Sequence, residues 1–241
     1  MKRDTRTVPW ASAIGFGAEL SPLIPPRAEP VAINLDNLAA TLISAPRHSG
    51  FVPPAYQIKA KVVMVGDAAV GKTSLVRRFV HDQFSDTYAV TLGAKVLARD
   101  TLALSPDGQE VAVRLAIWDI MGESSLLEEV SETFFHGAQG VVAVCDLTRY
   151  STFERLPLWL RHVRQVAGSV PMALAVNKSD LQQEVLVLYD DYRVQQFAEE
   201  VGARWYMTSA KTGENVADMF STLGQDITAR ALAPAPPPEF G

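Results

Sequence analysis

Gly66-Asp67-Ala68-Ala69-Val70-Gly71-Lys72-Thr73 follows the apolar run Val62-Val63-Met64-Val65 and leads straight into a helix-like segment, Ser74 to Val80. A strand that stops on a glycine and turns at once into a helix leaves a row of unpaired backbone N–H groups aimed at one spot, with the positive end of the helix dipole behind them. Such a spot suits polyphosphate. The glycines permit the backbone conformations and close approach that wrapping a phosphate needs. Lys72 has the reach for β and γ phosphates, and the Thr73 hydroxyl has the chemistry of a Mg²⁺ ligand. The spacing G-x-x-x-x-G-K-T and the strand-to-helix context agree, and Gly66 to Ser74 are the expected contact residues. The loop alone leaves the base and the reaction open.

Outward from the loop, strands and helices alternate from about residue 58 to 231. Strands are expected at Ile58 to Val65, Ala94 to Leu104, Val111 to Asp119, Gly140 to Leu147, Met172 to Asn177 and Arg204 to Thr208. Helices are expected at Gly71 to His81, Ser125 to Phe135, Thr152 to Ala167, Asp191 to Val201 and Val216 to Ala231. Ser105-Pro106-Asp107-Gly108 makes a tight turn, so the second and third strands should be the one antiparallel pair. The pattern is an α/β fold of the phosphate-loop type, a mostly parallel six-stranded sheet with helices on both faces, and ligands then sit at the carboxyl ends of the strands.

The flanks read differently. Residues 1–57 carry Pro9, Pro22, Pro25, Pro26, Pro30, Pro46, Pro53 and Pro54, which break long helices and central strands. This is an arm, in which Leu35, Leu38, Leu42 and Ile43 have the spacing of a short amphipathic helix. Residues 232–241, with Pro234, Pro236, Pro237 and Pro238, read as a frayed tail.

Composition narrows the classes. A net charge of −5 with pI near 5.4 gives no support to nucleic-acid binding. The single cysteine, Cys145, lies in an apolar strand and reads as a small buried hydrophobe, which fits a reducing compartment. No stretch approaches the roughly 20 apolar residues of a membrane span. Lys2, Arg3 and Arg6 precede a mildly apolar stretch, but Pro9, Ser12, Gly15 and Gly17 interrupt it, and no export signal is expected. A cytoplasmic monomer is the expectation.

Three further loops fall at strand ends. Asp119 ends the third strand in Trp118-Asp119-Ile120-Met121-Gly122. Beside a phosphate loop, such an acid can hold Mg²⁺ through water, and the glycine three residues on can offer its N–H to a γ-phosphate. Asn177-Lys178-Ser179-Asp180 follows the fifth strand and Ser209-Ala210-Lys211 the sixth. A carboxylate only accepts, so Asp180 suits guanine, which presents two adjacent donors on one edge, and adenine does not match it. Lys178 can lay its stem on the purine plane, Asn177 can tie the loops together, and the Ala210 N–H can donate to the guanine O6.

In order, GDAAVGKT, Thr91, WDIMG, NKSD and SAK resemble the Ras-like small GTPases, and the Rab branch above all. Phe79 to Gly93 is similar to the first switch of Rab-type proteins. The resemblance implies that Phe84 packs against the base, Tyr88 closes over the phosphates, and Thr91 binds Mg²⁺ and the γ-phosphate. Cys145 to Phe153 is similar to the segment after the fourth strand in that branch. The implied function is a GTP- and GDP-binding switch with Mg²⁺, read by regulators and effectors at two switch regions, about 82 to 93 and 120 to 135. The catalytic set would be Lys72, Thr91, Gly122 and Glu123.

Two departures qualify this. The family usually has glutamine where this chain has Glu123, and a carboxylate accepts a hydrogen bond from water without donating one to phosphate. Slow hydrolysis of GTP follows, or a non-hydrolysing GTP-binding scaffold that engages partners through Leu126, Leu127 and the arm. Met121, Ala68 and Ala69 add bulk around the same place. The chain also closes on Pro238-Glu239-Phe240-Gly241 and its one cysteine is internal, so no lipid anchor is expected and membrane contact would be indirect.

Overall fold

Val62, Val63, Met64 and Val65 have no exposed surface and form the carboxyl half of β1 (Tyr56–Val65), which opens two residues earlier than the apolar pattern suggests. An apolar run of this length without alternation needs cover on both faces, and it has it. Val62 and Met64 pack with Leu75, Val76 and Phe79 of α1 (Lys72–His81) and with Met219, Phe220, Leu223 and Ile227 of the carboxyl-terminal helix. Val63 and Val65 pack with Leu156, Trp159, Leu160, Val163 and Val194 on the opposite face. Each such side chain, taken from water into the core, contributes roughly 1.5–3 kcal/mol.

The computed structural model describes residues 56–85, 87, 91, 93–122, 132–184 and 191–233. The arm before residue 56 with its candidate helix near 35–43, residues 234–241, Tyr88, Glu123, Leu126 and Leu127 lie outside the described residues, as does most of the helix expected at 125–135, of which 132–135 are described and helical. After β1 and α1 come β2 (Ala94–Leu104), β3 (Glu110–Ile120), β4 (Gly140–Asp146), α2 (Tyr150–Glu154), α3 (Leu156–Ala167), β5 (Met172–Asn177), α4 (Asp191–Val201), β6 (Arg204–Thr208) and α5 (Val216–Ala231). The six strands lie in the order β2-β3-β1-β4-β5-β6. β2 and β3 pair antiparallel through the turn at Ser105, and every other neighbouring pair is parallel. The fold is the mostly parallel α/β sheet with helices on both faces that the sequence implies.

One expected helix is two. Thr152 to Ala167 divides at Arg155, because Pro157 stands at the start of α3, where its missing N–H is harmless, whereas a continuous helix would set its ring against the carbonyl four residues back. Among the described residues no helix is long and apolar enough to cross a membrane.

β1 lies between β3 and β4, so the chain leaves its carboxyl end where the order of the strands reverses, the place at which open α/β sheets bind ligands.

Candidate functional site

Gly66 closes β1 at φ 131°, and a Cβ there would stand 2.1 Å from the Val144 carbonyl oxygen. Only glycine lets β1 turn away this close to β4. Gly71, the N-cap of α1 at φ 99°, is held as tightly, since its Cβ would lie 2.2 Å from Asn177 Nδ2. Between them Ala69 adopts φ 62°, a left-handed conformation that an alanine takes only at a cost of about 1 kcal/mol or more.

Lys72, the first residue of α1, turns its buried side chain back over this loop, where Nζ donates to the carbonyls of Gly66 at 2.7 Å and Asp67 at 2.9 Å. Burial lowers its pKa to about 8, against the opposing pull of Asp119 and Asp67, and Arg149 adds to the lowering. Gly122 comes up against the same ammonium, for a Cβ on it would sit 2.5 Å from Lys72 Nζ and 2.6 Å from the Ala68 nitrogen.

One residue on, the Thr73 hydroxyl donates to Asp119 Oδ2 at 2.6 Å and lies 3.0 Å from the Thr91 hydroxyl. A hydroxyl has one hydrogen, so Thr91 is the donor in the second contact. Asp119 is fully buried, its other oxygen, Oδ1, has no hydrogen-bond partner, and burial raises its pKa while Thr73 and Lys72 work against the rise. Two hydroxyls and a buried carboxylate with an oxygen to spare are hard oxygen donors suited to Mg²⁺. Among the described residues no group of three or more His, Cys, Asp and Glu gathers elsewhere for a metal.

At the far end, Asn177 binds in three directions: Nδ2 donates to the Val70 carbonyl at 2.8 Å, and Oδ1 accepts from the Ala210 N–H at 3.2 Å and from the Thr208 hydroxyl at 3.3 Å. It therefore joins the phosphate loop to the loops after β5 and β6, and in this structure it takes the Ala210 N–H that the guanine reading assigns to O6. Asp180 accepts from the Ser209 hydroxyl at 2.5 Å, and Lys178, at φ 72°, points its ammonium to Asp146.

A single cavity of about 590 Å³ runs between the two ends. Ala68, Ala69, Thr73, Ser74, Phe84 and Thr91 line it at one side and Asn177, Lys178, Asp180, Ala210 and Lys211 at the other, with Met121 and Gly122 at its wall. The structure thus brings the described candidate residues to one place.

Four supporting residues escape the sequence reading. Trp159 Nε1 donates to Asp67 Oδ1 at 3.0 Å, and Arg155 Nη1 to Asp67 Oδ2 at 3.3 Å. Asp146, fully buried at the end of β4, accepts on Oδ2 from Lys178 Nζ at 2.7 Å and Arg149 Nε at 2.8 Å, while Arg149 Nη2 reaches the Ala68 carbonyl at 2.9 Å. Burial pushes the Asp146 carboxyl up, and hydrogen bonds from Lys178, Thr148 and Arg149 more than reverse this, leaving its pKa below the ordinary value. The available signal was an acid ending a wholly apolar strand and a tryptophan on the buried face of a helix, whose N–H needs an acceptor.

The model of the Ras family matches residues 61–229. The chain is similar to the GTP-binding protein ypt5 of Schizosaccharomyces pombe, 35% identical over 171 residues that cover 70% of this chain and 78% of that one. It is 31% identical over 178 residues to the Ras-related protein Rab-13 of Bos taurus, covering 73% and 84% of the two chains. It is 36% identical over 168 residues to the Ras-related protein RABA4b of Arabidopsis thaliana, covering 69% and 71%.

Proposed function

Because the chain belongs to the Ras family of small GTPases, with Rab and Ypt proteins among its relatives, we propose that it is a Mg²⁺-dependent guanine-nucleotide switch that hydrolyses GTP slowly to GDP and phosphate. The observation that carries this is the cavity itself, lined at one end by the phosphate loop with Thr73 and Thr91 and at the other by Asn177, Lys178, Asp180 and Ala210.

In this reading Asp180 accepts from the two donors of the guanine edge, Lys178 and Phe84 flank the ring, and the N–H groups of Gly66 to Ser74 wrap the phosphates. Thr73 and Thr91 would hold the metal, with Asp119 supporting it. When bound, the metal neutralises charge on the phosphate oxygens. Water attacks the γ-phosphate in line, and Lys72 and the loop N–H groups stabilise the charge that develops as the bond to the β-phosphate breaks. Gly122 offers its N–H to the γ-phosphate, and Glu123 stands in the water-positioning role. A carboxylate next to a polyanion serves that role poorly, so unaided turnover is slow, no faster than the order of 10⁻⁴ s⁻¹ of Ras itself. Residues 82–93 and 120–135 would change conformation with the nucleotide and meet regulators and effectors in the cytoplasm.

The test is to purify the full chain with Mg²⁺, identify the nucleotide that accompanies it, and compare phosphate release by wild type, Glu123→Gln and Lys72→Ala. GTP or GDP is expected, with Glu123→Gln faster by about tenfold and Lys72→Ala without activity. Failure to bind GTP or GDP would overturn the reading. Tight GTP binding with release no faster than buffer would overturn the hydrolysis alone and leave a GTP-binding scaffold.

A further inference from the structure

Two loops that carry opposite ends of the cavity are joined behind it by charged side chains. Lys178 belongs to the loop after β5 and Ala68 to the phosphate loop. Between them stands Asp146, whose Oδ2 accepts from Lys178 at 2.7 Å and from Arg149 at 2.8 Å, and Arg149 continues to the Ala68 carbonyl at 2.9 Å. The Thr148 N–H and hydroxyl fix the other carboxylate oxygen, at 3.0 and 2.8 Å. Asp146 is fully buried, so its orientation has little freedom, and its bonds to Lys178 and Arg149 are charge-assisted although both cations keep part of their side chains in solvent.

The last link has a consequence for phosphate. A trans peptide is planar and sets its C=O opposite the next N–H. The Ala68 carbonyl is held by Arg149, so the Ala69 N–H of the same peptide points the opposite way, and Ala68 and Ala69 both line the cavity. That same residue, Ala69, holds φ at 62°, a conformation that needs support from its surroundings.

We infer that Asp146 and Arg149 are positioning residues for the nucleotide: the series Lys178–Asp146–Arg149–Ala68 sets the loop beneath the base and the loop around the phosphates as one unit. This deepens the proposed nucleotide-binding function and rests on it. Arginine is required at 149, because Nε and Nη2 serve two acceptors at once and a lysine ammonium on one flexible stem does not span both in that geometry.

The experiment measures dissociation of GDP carrying a fluorescent ribose label from the full chain, for wild type, Arg149→Gln, Lys178→Ala, the double variant and Arg149→Lys. Each single change is expected to speed release about tenfold, with the double variant falling short of the product by about fivefold or more, as residues coupled through a shared partner do. Arg149→Lys, which keeps the charge and loses the bridge, is expected to behave like Arg149→Gln. Factors that simply multiply, or an Arg149→Lys protein that releases GDP like wild type, would overturn the inference. A wild-type protein that binds no guanine nucleotide would instead overturn the function on which it rests.

Discussion

At the base end of the cavity the protein satisfies its own polar groups: Asn177 is bonded on both sides of its amide, Ser209 donates to Asp180, and Ser179 donates to Glu214. At the phosphate end it does so only in part. Asp119 keeps a buried oxygen without a partner and Lys72 is a buried ammonium whose pKa has fallen to about 8. Fixed hydrogen-bond directions make a shape that selects among bases. Buried charge that is only partly compensated disfavours the ligand-free fold and is relieved when a ligand of complementary charge arrives, so that binding there returns stability to the protein. Selectivity therefore belongs to one end and linkage between ligand and fold to the other.

The largest test of that division is Asp180→Ala. In the proposed binding mode it would remove two charge-assisted hydrogen bonds to guanine, each worth about 1.5–3 kcal/mol, so the preference for GDP over ADP is expected to fall by about a hundredfold or more. Competitive displacement of labelled GDP measures it. The melting temperature of the nucleotide-free protein should barely move, because Asp180 is partly exposed and its partner Ser209 also bonds to the backbone of Thr212. A retained preference would place base selection elsewhere.

Lys72→Met divides the two properties the other way. GDP affinity is expected to drop by about a hundredfold, with loss of the ammonium that meets the phosphates. The nucleotide-free protein should melt close to wild type, because relief from holding a desolvated ammonium opposes the loss of its bonds to the Gly66 and Asp67 carbonyls. Calorimetry with and without GDP reads both, and a large loss of ligand-free stability would show that the phosphate end, too, is held together by its own bonds.

A smaller effect follows from pH. The Lys72 pKa lies near 8 in the ligand-free protein against an ordinary value of 10.5. Between these values the folded state holds fewer protons than the unfolded one, so this residue's contribution to stability rises with pH across the interval. Nucleotide affinity runs in the opposite sense. Phosphate charge favours the ammonium and raises its pKa, so affinity is complete below pH 8 and falls above it, by up to about tenfold per unit. Titrations from pH 7 to 9 should show this slope in wild type and not in Lys72→Met.

Much of the site could be read in the chain because its residues are local. Gly66 to Thr73, Asp119 to Gly122, Asn177 to Asp180 and Ser209 to Lys211 each sit in one short loop at a strand end, and strand ends are marked by apolar runs. The sheet was legible for the same reason, from β4 and β5, whose residues are all buried. Its supports were hidden because their meaning is a pairing: Arg149 lies 81 residues from Ala68 and Trp159 lies 92 from Asp67. An arginine in a loop and a tryptophan on the apolar face of a helix are ordinary until the sheet order brings β1 beside β4. Pro157 was a visible signal against one helix from Thr152, since proline is tolerated in a first turn and not five residues in, and the division at Arg155 puts it in the first turn of α3.

Trp159→Phe carries the smallest expected effect and the sharpest bearing on where the two ends meet. Asp67 belongs to the phosphate loop yet turns its carboxylate away to the indole of Trp159 and the guanidinium of Arg155, and it is only 7% exposed. Phenylalanine fills most of the same core space, so the change reads mainly the lost N–H donor, at about 1–2 kcal/mol, or roughly 2–8 °C in melting temperature. If Asp67 only anchors the core, GDP dissociation should be unaltered once stability is allowed for. If it holds the loop in shape for phosphate, GDP should leave a few times faster. Asp67→Asn should then cost less in the Trp159→Phe protein than in wild type, because the indole donor is already gone and only the Arg155 bond remains to lose.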